Sequence, residues 1–385
     1  MALRSGDWKT ASPANAFAEN AMQATRTSAM KLQHLMAVSG LALAATMATA
    51  APAQQRSFVY IANQDPGTIS AFSVDRASGR LTRLPGVVRT DPNPYSIAMH
   101  PSGRWMFVAH GDASSVQPFA RTPTSGAIVA GRPVRTPGYA VAAVVDPSGR
   151  FLYVCAMSAD AVTVFAVDPK AGLKPIAGAP FAAGGRPSGA ALDPGGRFFY
   201  ATNLTGGNIS GYAIDPATGA LAPLPGSPYA AGTNPRAVAV APGGNYAYAV
   251  NAVSNDVSMF SIDQGGVLVP LMPAIVATGR NPRALAIEPS GRYLYVANYD
   301  EDTVAAYSID PNGMLRPLAE QPIKSRHGPR ALAVDARGEF LYVVNNQSNS
   351  VSAFRIEPAS GELREVPGSP FATGKGPLGI ATFHD

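Results

Sequence analysis

Three arginines stand out by their spacing. Pro235-Arg236, Pro282-Arg283 and Pro329-Arg330 lie 47 residues apart, each at the head of an apolar run. A guanidinium is planar, permanently charged and carries a fork of donors suited to a carboxylate or a phosphate. If the spacing is a structural repeat, the three occupy equivalent places on neighbouring units and form an arc, a candidate ligand-binding set. The same cations could instead pair with loop carboxylates such as Asp256, Asp300, Glu301 or Asp302. Two histidines add candidate acid–base chemistry: His327, in Ser325-Arg-His-Gly-Pro-Arg330, and His110, at the end of an apolar run. Either imidazole could activate water, and a loop histidine with no catalytic duty is the competing reading. His100 stands in the turn sequence His100-Pro-Ser-Gly103 and reads as structural. Cys155 ends the apolar run Phe151-Leu-Tyr-Val-Cys155, has no basic neighbour, and reads as a small apolar side chain. There is no Gly-x-Ser-x-Gly elbow, no His-Glu-x-x-His, no paired-cysteine zinc spacing, no acidic calcium loop and no Gly-x-x-x-x-Gly-Lys. No metal site and no cofactor is expected.

What must position these residues is an internal repeat. An aromatic opens the same tetrapeptide seven times, at Tyr60, Phe107, Tyr153, Tyr200, Tyr248, Tyr295 and Tyr342, with intervals of 47, 46, 47, 48, 47 and 47 residues. Seven such units account for residues 54–385 and leave no room for a second domain. Five of the tetrapeptides end in asparagine: Asn63, Asn203, Asn251, Asn298 and Asn345. A repeated residue answers a repeated need, and these read as strand-end hydrogen bonders.

Each unit holds four short segments with period-two alternation of β-branched and aromatic residues. In the sixth unit they are Ala284–Ile287, Tyr293–Ala297, Thr303–Ile309 and Leu315–Leu318, punctuated by Glu288-Pro-Ser-Gly-Arg292 and Pro311-Asn-Gly313. No helical period persists after residue 53. The expected fold is all-β: a seven-bladed β-propeller of four-stranded antiparallel blades. The first unit starts at its second strand, Phe58-Val-Tyr-Ile61, and the missing strand follows the seventh unit as Pro377-Leu-Gly-Ile-Ala-Thr382. The C-terminal strand is therefore expected to close the ring in blade 1.

Composition narrows the class. Charged residues are 14% of 385, and glycine and proline number 38 and 35, a turn-rich chain short of low-complexity disorder. The 30 basic and 25 acidic side chains leave +5, and outside the first 53 residues 26 oppose 23, with no run of Lys or Arg, so no nucleic-acid partner is expected. Residues 1–53 read as a secretory signal peptide with an upstream extension. Met30 is the expected start, followed by Lys31, the apolar stretch Leu35–Ala45 and small residues through Ala53. A periplasmic or extracellular location is implied, with no membrane span in the mature chain and a monomeric state expected.

The Tyr-Val-x-Asn units, the Val-x-x-Phe/Tyr strands and the Asp/Glu-Pro-x-x-Gly-x-Leu turns resemble the seven-bladed lactonase family, which includes bacterial 6-phosphogluconolactonase and fungal carboxymuconate cyclase. They are also similar to exported propellers with Tyr-Val-Thr-Asn-type repeats. The resemblance covers 56–385 and implies a hydrolase acting on a sugar-type or other carboxylic lactone. Enzymes of the family carry Pro-Arg-His at the start of the fifth blade and Asn-Glu after its second strand. Here Arg236 matches, and Ala237 and Ala252 stand at the histidine and glutamate positions; a further histidine is missing from Pro137-Gly-Tyr-Ala140. Two readings follow: an exported lactone hydrolase, or a non-catalytic cell-envelope propeller binding an anionic small molecule or a protein partner.

Overall fold

The computed structural model describes residues 56–168, 172–319 and 322–384; the expected signal segment lies outside them. Seven antiparallel sheets follow one another along the chain, each built inner, second, third, outer strand. Blade 6 is representative, with Pro282–Ile287, Tyr293–Asn298, Thr303–Ile309 and Leu315–Pro317. The one helical piece among the described residues is a single 3-10 turn at Met157–Ala159.

The second strands show why radial stacking suits this sequence. Tyr293–Asn298 and Phe151–Ala156 are buried at every position, because a blade is covered on both faces by its neighbours. Side chains from adjacent blades interlock: Tyr153, Phe199 and Tyr212 share one cluster, and Tyr295, Leu341 and Phe354 another. In five of the seven blades the tyrosine hydroxyl at the start of the tetrapeptide donates to a turn glycine carbonyl in the next blade; Phe107 has no hydroxyl, and that of Tyr342 is buried without a partner. Tyr153 reaches Gly219 at 3.2 Å, Tyr200 reaches Gly266 at 2.7 Å and Tyr295 reaches Gly361 at 2.9 Å. Each such bond contributes about 1 kcal/mol and ties blade to blade.

The turns between inner and second strands repeat one device. Asp146 accepts the amides of Ser148 and Phe151 at 3.1 and 2.6 Å, and Gly149 takes the left-handed backbone at φ 76°. His100 fills the same slot in blade 2. Its Nδ1 accepts the Ser102 amide at 3.0 Å and its Nε2 lies 3.0 Å from the Gly149 carbonyl of the next blade, a structural role.

The ring closes as the repeat count requires. Lys375–His384 pairs antiparallel with Ser57–Asp65, setting Phe58 opposite Phe383 and Tyr60 opposite Ala381. Arg121 of blade 2 stacks on Phe383 at 3.9 Å, and Thr382 donates to the Val334 carbonyl of blade 7 at 3.2 Å. The last strand thus joins three blades.

Candidate functional site: the axial channel

The innermost strand of every blade begins with the same local irregularity. In blades 5, 6 and 7 the ladder to the second strand skips one residue between Pro235 and Ala237, between Pro282 and Ala284, and between Pro329 and Ala331. The skipped residues are Arg236, Arg283 and Arg330. A β-bulge frees a residue from the ladder and re-aims its side chain. The residue before each proline takes the left-handed backbone that sets up the bulge: Asn234 at φ 61°, Asn281 at 53° and Gly328 at 68°. The other four blades bulge at Tyr95, Val141, Ser188 and Leu378. These seven bulge residues all line one cavity of about 290 Å³ on the propeller axis.

The collar they form is lopsided, with three consecutive cations on one side and Leu378, Tyr95 and Val141 facing them. No aspartate, glutamate or histidine is among the residues lining this cavity. The four loop carboxylates all have other partners, although Asp300 also lies near enough to Arg283 to favour its charged form. Asp256 accepts from Asn251 at 2.6 Å, Asp300 from Asn281 at 3.1 Å, Glu301 from Arg280 at 3.3 Å, and Asp302 pairs with His327 at 2.7 Å. The Nε atoms of Arg236 and Arg283 are buried without a hydrogen-bond partner. Burial, and next the charge of Arg283, push the Arg236 guanidinium down to about 10; burial and then Arg330 lower Arg283. Aromatic faces hold two of the three: Arg330 lies over Tyr95 at 4.8 Å and Arg283 over Tyr299 at 4.6 Å.

An adjoining recess of about 410 Å³ shares Arg236 and Arg283 and adds Ala252, Asn255 and Asp300. Ala252, at the family's glutamate position, therefore borders the arginines and offers them no charge.

Neither sequence-derived histidine lines the channel. His110 is fully buried, paired opposite Pro94 behind the inner strand, with Thr90 against its Nε2. Burial pushes its pKa down to about 4, so the ring is neutral at ordinary pH. It occupies the slot in which Asn63 donates to Thr68 and Ser70, at 3.2 and 3.0 Å, and Asn345 to Ser350 and Ser352, at 3.3 and 2.9 Å. His327 is exposed on the entry loop, fixed by Asp302, its backbone amide donating to Ser348 Oγ at 2.8 Å. Cys155 is buried and its thiol pushed up to about 12 by that burial, which leaves it unreactive. Tyr95, Tyr299 and Ser96 are channel-region residues that motif reading passed over. Tyr95 could have been found by aligning the repeats, since Pro94-Tyr95 falls in register with Pro235-Arg236.

The family model described as a seven-bladed β-propeller lactonase matches residues 19–137, 130–230 and 190–376. Among curated proteins none matches the chain. A solved structure of a candidate 6-phosphogluconolactonase from Bacteroides uniformis superposes with a TM-score of 0.76 at 18% identity, covering 86% of this chain and 99% of its own. The periplasmic gluconolactonase of Pseudomonas aeruginosa gives 0.74 at 20% identity, covering 85% and 99%. At such identities these structures speak for the fold. With the family model spanning nearly every blade, the chain belongs to the seven-bladed β-propeller lactonase family.

Proposed function

We propose that the axial channel binds a small organic anion, a carboxylate or a phosphate. The observation that carries this reading is the set of three guanidiniums brought into one cavity whose own lining holds no carboxylate. Desolvated like charges cost stability, and a ligand anion accepting from Arg236 and Arg283 supplies the missing partner. Export is part of the reading, on the strength of Lys31, the apolar stretch 35–45 and the small residues that follow. N-terminal sequencing of the protein recovered from outside the cytoplasm is expected to begin within residues 51–54; an uncleaved N-terminus would remove this part.

A second reading, lactone hydrolysis, is favoured by the family and by Asp300 at the recess beside Arg283. The arginines would polarise the ring carbonyl and hold the oxyanion, while Asp300 takes a proton from water as it adds to the acyl carbon. The ring C–O bond then breaks, the alkoxide takes up the proton held by Asp300, and the new carboxyl group releases the second water proton to solvent, leaving the product carboxylate on the arginines.

Both readings are tested by melting curves with phosphate, sulfate and acetate at fixed ionic strength, beside pH-stat assays on γ- and δ-lactones. At 100 times its dissociation constant an anion stabilises the wild type by about 2.7 kcal/mol, roughly 5 °C, and does nothing for Arg236→Ala/Arg283→Ala/Arg330→Ala. A bound anion needs Arg236 charged, so the stabilisation is present at neutral pH and fades as pH rises through about 10. Equal responses from wild type and triple variant would refute the site. Lactone turnover lost in the variant selects hydrolysis; anion stabilisation with no turnover selects binding.

A further inference from the structure

The cavity changes character along its axis. The arginines stand at the entry end, on the first turn of each inner strand. One and two residues further in, the wall is Ala284, Ala331, Val238, Leu332, Ile97 and Ile380 with their small neighbours. The collar above them faces the cations with Leu378, Val141 and the ring of Tyr95. Apart from the arginines, polar side chains in the cavity wall are few, and the remaining polar groups are those of the innermost strands' free backbone edges. Ser188 Oγ is occupied by Thr202 and by the carbonyls of Pro235 and Arg236, at 3.1 to 3.2 Å. Ser96 Oγ is buried with no partner and is one isolated polar point in the shaft.

We infer that the ligand is an amphipathic organic anion, its carboxylate on Arg236, Arg283 and Arg330 and an alkyl or aryl body in the aliphatic shaft beneath. This rests on the anion-site reading and narrows it. A polyhydroxylated body would meet mainly aliphatic side chains and find few side-chain partners for its hydroxyls, which lose hydration there. An apolar body loses nothing there and gains by leaving water. A cavity of about 290 Å³ limits that body to a small one, at the low end of the ~300–1,000 Å³ typical of ligand sites. Applied to the hydrolytic reading, the same wall favours lactones with alkyl or aryl substituents over sugar lactones.

The test is isothermal titration calorimetry of the wild type with acetate, hexanoate and gluconate, each a singly charged carboxylate at pH 7, at fixed ionic strength. Affinity should rise about fourfold per methylene, on the order of 200-fold over the four methylenes from acetate to hexanoate, with gluconate close to acetate. Leu332→Thr and the smaller change Ala284→Ser, each checked by thermal melting, should lower the hexanoate-to-acetate ratio severalfold. Gluconate binding more tightly than hexanoate would overturn the amphipathic ligand and leave the anion site standing. An unchanged ratio in both folded variants would place the alkyl chain outside the shaft and overturn it likewise. Failure of all three carboxylates to bind, in wild type and triple arginine variant alike, would instead refute the anion site itself.

Discussion

Arg236, Arg283 and Arg330 carry charge into surroundings that penalise it. Burial and mutual repulsion lower the first two; Asp300 offsets part of this at Arg283, and no carboxylate lines the axial cavity. Perturbed charges of this kind gather at binding sites and in structural ion-pair networks alike. His110 makes the opposite case. Its sequence position beside the repeated asparagines suggested acid–base chemistry, yet burial holds it neutral in a slot where other blades place asparagine. The group titrates near 6.5 unfolded and about 4 folded, so between those values the unfolded chain binds the extra proton and stability falls as pH falls. From pH 7 to 4 this group alone costs ~3 kcal/mol. His110→Asn, which restores the repeated residue, should flatten the pH dependence of urea melts across that window; parallel curves for the two proteins would remove the assignment.

At the level of strands, the decisive feature is a bulge. Pro-Arg at 47-residue intervals was visible in the chain, but nothing in Pro235-Arg236-Ala237 shows that Arg236 leaves the ladder and turns to the axis. That depends on the partner strand and on the left-handed residue before the proline. Outer strands departed modestly from the four-strand expectation. All but that of blade 5 are split into two short pieces, in four blades around a glycine of positive φ such as Gly86 at 91° and Gly226 at 74°, in blade 6 without one. The blade 5 strand runs unbroken from Leu268 to Ala277, leaving Met272 90% exposed. The C-terminal strand is the element whose removal is most informative. Deleting residues 376–385 strips the partner from Ser57–Asp65, the ring contact between Arg121 and Phe383, and the buried Leu378. A loss of about 5 kcal/mol, some 10 °C in melting temperature, is expected from calorimetry. An unchanged transition would mean that the ring does not depend on this strand.

The axial cavity belongs to the whole ring. No single blade encloses it; each contributes one bulge residue to a collar that exists because seven inner strands meet at the axis. Inter-blade bonds such as Tyr200 to Gly266 fix the spacing, and close contact between inner strands demands small residues. A Cβ on Gly189 would lie 2.7 Å from both the Ala237 Cα and the Arg236 carbonyl oxygen. Repeat length, blade number, closure by the C-terminal strand and the structural character of His100 and Cys155 were all legible in the chain, because they rest on local pattern and on counting. The neutral burial of His110, the diversion of His327 to Asp302, the idle Nε atoms of Arg236 and Arg283 and the aliphatic shaft beneath them were not. These are set by which side chains meet across loops and neighbouring blades, from 20 and 25 residues apart at His110 and His327 to 47 or more between the arginines. Desolvation and charge proximity acquire values only once the blades are assembled.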